Sequence, residues 1–168
     1  MTEKEQERVF NEWLKGHTGT IFKIVRAWSS SINSADDLFQ EIVMRVWKSV
    51  PSFRQECSVN TWIYRIALNT AITWKASEQR YAIHEKSGSI DQVLQQSNQP
   101  VDERLAWLYE AIQSMEPIDR SLALLLLDGY SYKEMAVMMG ITETNIGVRI
   151  HRVKKQLSLL SKTSKYGT

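Results

Sequence analysis

Apolar residues recur at three- and four-residue spacing along most of the chain, and no stretch alternates apolar and polar residues with a period of two. Helix throughout is therefore the expectation. Val9, Phe10, Trp13 and Leu14 form one short apolar stripe, and Ile21, Ile24, Val25 and Trp28 form a second. The polar run SSSINSADD then interrupts. Ser34 is placed to cap the next helix, with Asp37 at its third position in a pattern like a capping box. That helix turns Leu38, Ile42, Val43 and Val46 inward and ends before VPSF, because Pro51 disfavours helical backbone at Val50. A further long helix starts near Ser58 and runs through Trp74 toward Arg80.

Residues 84–100, HEKSGSIDQVLQQSNQP, break this rhythm. They are polar, rich in Ser and Gln, and end in proline, so they read as a flexible linker with a short helical turn around Ile90–Leu94. The chain thus divides into a domain at 1–83, a linker at 84–100 and a domain at 101–168. At about 80 and about 65 residues, each domain is near the lower limit for an independent core.

The second domain has the sharper punctuation. Leu105, Leu108, Ile112 and Met115 share a helix face, and Pro117 suits the first turn of the next helix, which runs through LALLLL to Gly129. Ser131 to Glu134, SYKE, is a full capping box opening a short helix with Met135, Ala136 and Met139 inward. Gly140-Ile141-Thr142 makes a tight turn, and Thr142 caps the last helix. Two helices, a short glycine turn and a basic second helix make a helix-turn-helix.

That last helix, ITETNIGVRIHRVKKQL, separates into faces. Ile146, Ile150, Val153, Leu157 and Leu160 form the stripe to be buried. Asn145, Val148, Arg149, Arg152 and Gln156 lie opposite or beside it, with Lys154 and Lys155 on the flanks. Arg can pair bidentately with guanine and Asn with adenine, while lysines suit phosphates. A solvated charged surface is the alternative for this face. The glycine turn, the caps and the clean apolar stripe favour a helix that lies in a DNA groove, its N-terminal end nearest the bases.

Net charge is only +2, but it is unevenly spread: from Thr142 onward there are six Lys/Arg against one acid, Glu143. Cys57 is the one cysteine, so no internal disulfide can form, as suits a reducing compartment, and it reads as a small buried or loop thiol. No apolar run approaches the roughly 18 residues needed to span a membrane, and MTEKEQERVF is not a signal peptide. A cytoplasmic protein without direct membrane insertion is expected. His17, His84 and His151 stand far apart, and neither a CxxC pair, a Gly-rich phosphate loop nor a GxSxG is present. No cofactor, no metal, no small-molecule substrate and no enzymatic activity are expected. SKTSKYGT at the C-terminus reads as a frayed tail.

The order DDLFQEIVMRVW, then F…TWIYRIALN, a linker, and GYSYKEMAVMMGITETNIGVRIHRVKKQL resembles the small extracytoplasmic-function (ECF) group of the bacterial sigma-70 family, from about Trp13 to Leu160. The resemblance implies an all-α fold of two helical domains, region 2 and region 4, in a subunit that gives RNA polymerase its promoter specificity. It implies that Asp36, Asp37, Phe39, Gln40, Glu41 and Met44 dock on the polymerase β′ clamp helices; an acidic helix start favoured by the dipole is the alternative for the carboxylates. Region 4 would meet the β flap. Thr61, Trp62, Arg65 and Asn69 match the segment that opens and binds the −10 element, with Trp62, Arg65, Asn69 and Thr73 on one stripe. Core packing is the alternative for Trp62, and Ile63, Ile66, Thr70 and Trp74 are expected in the core. Thr142, Glu143, Thr144, Asn145, Val148, Arg149, Arg152 and Lys155 would meet the −35 element. An anti-sigma factor is a further implied partner. Leu68 stands where the family often has Arg, and Thr73 and Ala76 stand where Asp and Arg often follow; Lys75, Arg80 and Arg54 are the substitute cations. Two other readings remain open at this point: a stand-alone helix-turn-helix regulator, and a helical adaptor that binds only protein.

Overall fold

A computed structural model describes residues 1–82 and 102–163, with only the backbone for 79–82. The expected linker, with its turn at Ile90–Leu94, and the last five residues of the tail lie outside the described residues. The described chain is all helical, and it divides into two compact units, Met1–Asn98 and Gln99–Thr168.

The first unit contains α1 (Glu3–Trp28), α2 (Ile32–Ser49), a single 3-10 turn at Val50–Ser52, and α3 (Val59–Ala82), each helix packing against the other two. The two short stripes expected at the N-terminus belong to one helix. Thr2 and Glu5 close a capping box at its start, and Trp13, Ile21, Ile24, Val25, Ala27 and Trp28 are buried along it. Gly16 and Gly19 weaken the helix by about 1 kcal/mol each, but neither removes a hydrogen bond as proline would, and the buried stripe on both sides outweighs them.

The start of α2 corrects the expected cap. Ser31, not Ser34, is the N-cap: its Oγ accepts from the Ser34 amide at 3.1 Å, and Ser34 Oγ accepts from the Ser31 amide at 3.0 Å. Ser34 is buried inside the first turn, where a small hydroxyl both fits and completes the box. Asp37 consequently lies in the body of the helix, exposed. Leu38, Ile42 and Val46 are buried and Val43 half-buried. Ser58 caps α3 through the Thr61 amide at 3.1 Å. Cys57 is exposed in the loop just before it. Ile63 and Thr70 are in the core as expected, whereas Ile66 and Trp74 are half-buried.

The second unit contains α4 (Glu103–Gln113), α5 (Pro117–Leu127), α6 (Tyr132–Met139) and α7 (Glu143–Thr163). On α5, Leu122, Ala123, Leu124 and Leu125 are all buried, so this helix is the hydrophobic centre of the unit; α4 and α7 pack on it, and α6 packs on α7. The turn into α5 is held by Arg120, whose Nη2 donates to the carbonyls of Gln113 at 2.7 Å and Met115 at 3.0 Å. The Gln113 carbonyl is at the end of α4, where helix carbonyls lack an intrahelical partner, and Met115 lies in the turn that follows. Burial pushes the Arg120 guanidinium below its ordinary value.

Several expected core positions differ, Leu108 and Ala136 being only half-buried. Leu105 is 41% exposed, because the buried residues of α4, Ala111 and Ile112, lie in its last turn. On α6 the fully buried partner of Met135 is Met138, with Met139 half-buried. Ser131 and Glu134 do form the capping box, and Gly140 takes the left-handed conformation (φ 69°) that ends α6. On α7, Ile146, Ile150 and Val153 are buried, while Leu157 and Leu160 are half-buried. Ser161–Thr163, expected in the tail, continue the helix.

Candidate nucleic-acid and polymerase interfaces

Three exposed faces carry the residues of interest. The first is the start of α7. Thr142 Oγ1 accepts from the Asn145 amide at 3.1 Å, which orients the helix N-terminus at the end of the glycine turn. Thr142, Glu143, Thr144, Asn145 and Val148 are exposed, as are Lys154 and Lys155. Unpaired amides at a helix N-terminus together with flanking cations suit a polyanion.

The two arginines of this face are not free-standing. Arg152 grips the carboxylate of Asp119 with Nε on Oδ2 at 2.9 Å and Nη2 on Oδ1 at 3.0 Å. Arg149 places Nη1 on the same Oδ1 at 3.1 Å, and its Nε donates to Asn145 Oδ1 at 3.3 Å. Asp119 is 5% exposed, Arg149 24% and Arg152 54%. Sequence reading missed Asp119. The available signal was an Asp–Arg pair inside PIDRSLALLLL, an otherwise strongly apolar helix where charged groups need partners.

The second face lies on α2. Asp36, Asp37, Gln40 and Met44 are exposed at helical spacing, with Met44 at 45%. Glu41 lies between them, half-buried and paired with Arg45 at 2.9 Å. Phe39 is half-buried and stacks on Phe22 of α1, ring centroids 4.8 Å apart with planes at 16°. Phe22 is itself 54% exposed, so the aromatic pair extends the acidic face with an apolar edge. Sequence reading missed Phe22, because it lies off the buried stripe of its own helix.

The third face lies on α3. Arg65 and Asn69 are exposed one turn apart. Thr61 is half-buried, and its hydroxyl accepts from Ser58 Oγ at 3.0 Å. Trp62 is held from below: its Nε1 donates to Ser49 Oγ at 3.0 Å, and its ring lies 5.4 Å from Phe53, which in turn meets Trp13 edge-on at 5.1 Å. The indole therefore packs within the domain while remaining half-buried. Leu68 is buried, so the position where the family often has Arg belongs here to the core. Of the substitute cations, Lys75 pairs with Glu78 at 3.5 Å, Arg54 is exposed, and the Arg80 side chain lies outside the described residues.

Among the described residues no cluster of His, Cys, Asp and Glu could hold a metal ion, and no helix is long and apolar enough to cross a membrane. Acidic, polar-aromatic and basic faces on two small helical units, the second with a helix-turn-helix, define a protein built for macromolecular contact. The model of sigma-70 region 2 matches residues 14–81, and that of sigma-70, region 4 matches residues 105–157. The ECF RNA polymerase sigma-E factor of Escherichia coli K12 is 27% identical over 169 residues, spanning 92% of this chain and 87% of its own. The sigma factor RpoE, solved with the anti-sigma factor NepR from Bartonella quintana, shares the fold with a TM-score of 0.72 at 21% identity, over 94% of this chain and 99% of the other. CnrH, solved with the cytosolic domain of CnrY, does so with a TM-score of 0.67 at 18% identity, over 95% and 91%. The chain belongs to the sigma-70 family, in its ECF group, and is a promoter-recognising specificity subunit of RNA polymerase.

Proposed function

We propose that the chain carries out this role without chemistry of its own, by gripping polymerase and promoter in separate places. The domain at 1–83 docks on the β′ clamp helices through Asp36, Asp37, Phe39, Gln40, Glu41 and Met44. It presents Thr61, Trp62, Arg65 and Asn69 to the −10 element. The domain at 101–168 meets the β flap and lays α7 in the major groove of the −35 element. There Thr142, Glu143, Thr144, Asn145 and Val148 approach the bases, Arg149 and Arg152 act from their Asp119 mooring, and Lys155 meets phosphate. Residues 84–100 link the two grips, and linkage raises the effective concentration of the second contact once the first is made. The protein acts in the cytoplasm, where polymerase works, and an anti-sigma factor is a further partner, by analogy with the complex of RpoE and NepR.

The observation that carries this reading is the exposed acidic face on α2, at the start of the same chain that ends in a basic helix-turn-helix. A stand-alone regulator would have no use for it. Transcription in vitro with core polymerase and a genomic promoter library tests the proposal: the protein should direct initiation at promoters sharing two spaced sequence elements, and Asp37→Lys with Gln40→Lys should abolish this through lost polymerase binding. Tight, specific duplex binding by the free protein, with initiation unaffected by these substitutions, would instead favour the stand-alone regulator.

A further inference from the structure

Asp119 and Arg120 are neighbours on a helix whose other residues from Ser121 to Leu125 are all buried. Arg120 serves the α4–α5 turn. Asp119 serves α7: one nearly buried carboxylate receives three N–H groups from two guanidiniums that belong to the proposed DNA-facing helix. A buried carboxylate needs partners, and the helix dipole alone does not supply them; here both partners come from α7. The arrangement has two consequences for Arg149 and Arg152.

The first is orientation. A guanidinium has five N–H donors in a rigid fork. Arg152 commits its Nε and Nη2 to the carboxylate, and Arg149 commits Nη1 to Asp119 and Nε to Asn145. These bonds fix the plane of each guanidinium, and the N–H groups that remain are left for other partners. The second is charge. Two cations share one buried anion, so the pair presents less positive charge to the phosphate backbone than two free arginines would. Phosphate contacts add affinity for any sequence, whereas base contacts discriminate.

We propose that Asp119 is a positioning residue for promoter discrimination, acting through Arg149 and Arg152 to keep them off the phosphates and set toward base edges. This rests on the reading of α7 as the −35 helix. Replacing the carboxylate frees two arginines to pair with any phosphate, which raises non-specific binding at the expense of selectivity.

The test uses holoenzyme, assembled from core polymerase and the full chain, on a promoter selected from the library and on the same promoter with its −35 element scrambled. Asp119→Asn keeps the shape and one acceptor oxygen. It should lower the preference for the selected promoter about tenfold, and each freed arginine that takes a phosphate should steepen the slope of log affinity against log salt by about one. Asp119→Glu, where the charge is retained, should restore much of the preference. In an Arg149→Ala/Arg152→Ala background, Asp119→Asn should change the preference no further; an additional loss there would mean a merely structural role and overturn the inference. Unchanged preference and salt slope in a folded Asp119→Asn chain would also overturn it. If Asp119→Asn unfolds, the Asp119→Glu variant decides alone: a folded chain without preference refutes the inference. Wild-type holoenzyme indifferent to the scrambled element would overturn the −35 reading itself and the inference with it.

Discussion

Trp62 and Ser49 are joined across the first unit: the indole Nε1 donates to the serine hydroxyl at 3.0 Å, from α3 to the end of α2. Together with the Trp13–Phe53–Trp62 row, this fixes the ring as part of the packing. Trp62→Ala should destabilise the unit by about 2–4 kcal/mol, and Trp62→Phe by about 1 kcal/mol for the lost hydrogen bond, both measured by urea unfolding. Trp62→Phe keeps an aromatic face for the −10 element and should leave open-complex formation largely intact. If it is as stable as wild type yet cannot open the promoter, the indole N–H serves the −10 element rather than Ser49.

The helix-turn-helix bend rests on backbone geometry at Gly140. A Cβ there would meet no atom within 4 Å, so the cost of Gly140→Ala is conformational alone, at φ 69°. It should amount to about 1–2 kcal/mol. Gly16→Ala makes the contrast: also open within 4 Å, but in the regular helix α1, it should stabilise by about 0.5–1 kcal/mol. Thermal melts of the two variants should shift in opposite directions.

Glu134 closes the α6 capping box, and its hydrogen bonds from the Ser131 amide and hydroxyl hold its carboxyl below the usual glutamate value. A carboxyl whose folded value is depressed stabilises the fold above its unfolded value, and that contribution is lost as pH falls through the folded one. Glu5 behaves alike in the first unit, where Thr2 supplies the bonds. Glu134→Gln should therefore flatten the decline in unfolding midpoint as pH falls below the ordinary glutamate value. A decline as steep as wild type would show that the box contributes nothing in solution.

Arg149 and Lys155 lie on the same helix but in different settings, the first moored to Asp119 and the second exposed. Arg149→Ala should cost roughly 1–3 kcal/mol of −35 selectivity, whereas Lys155→Ala should weaken all sequences alike and reduce the salt slope by about one. Filter binding or footprinting with holoenzyme across a salt series separates the two. Equal effects of both substitutions on all sequences would remove Arg149 from the readers.

Features that act within a turn or two were legible in the residues alone. The Ser131–Glu134 box, the Thr142 cap, the glycine turn and the buried triplet Ile146, Ile150 and Val153 all follow from contacts between residues three or four apart. So did the division into two helical units, because the polar, proline-ended stretch contrasts with its surroundings. At the start of α2 the expected cap at Ser34 gave way to Ser31, which forms a reciprocal box with the buried Ser34 hydroxyl. The continuity of α1 was settled by its burial against α2 and α3. Other relationships were beyond local reading altogether. Asp119 lies 30 and 33 residues from the arginines it holds, and Phe22 meets Phe39 on a different helix. Periodicity says which face of a helix is wet or dry. Which side chain from a distant helix meets that face depends on how the helices pack, and at α7 that meeting turned two apparently free arginines into a moored pair.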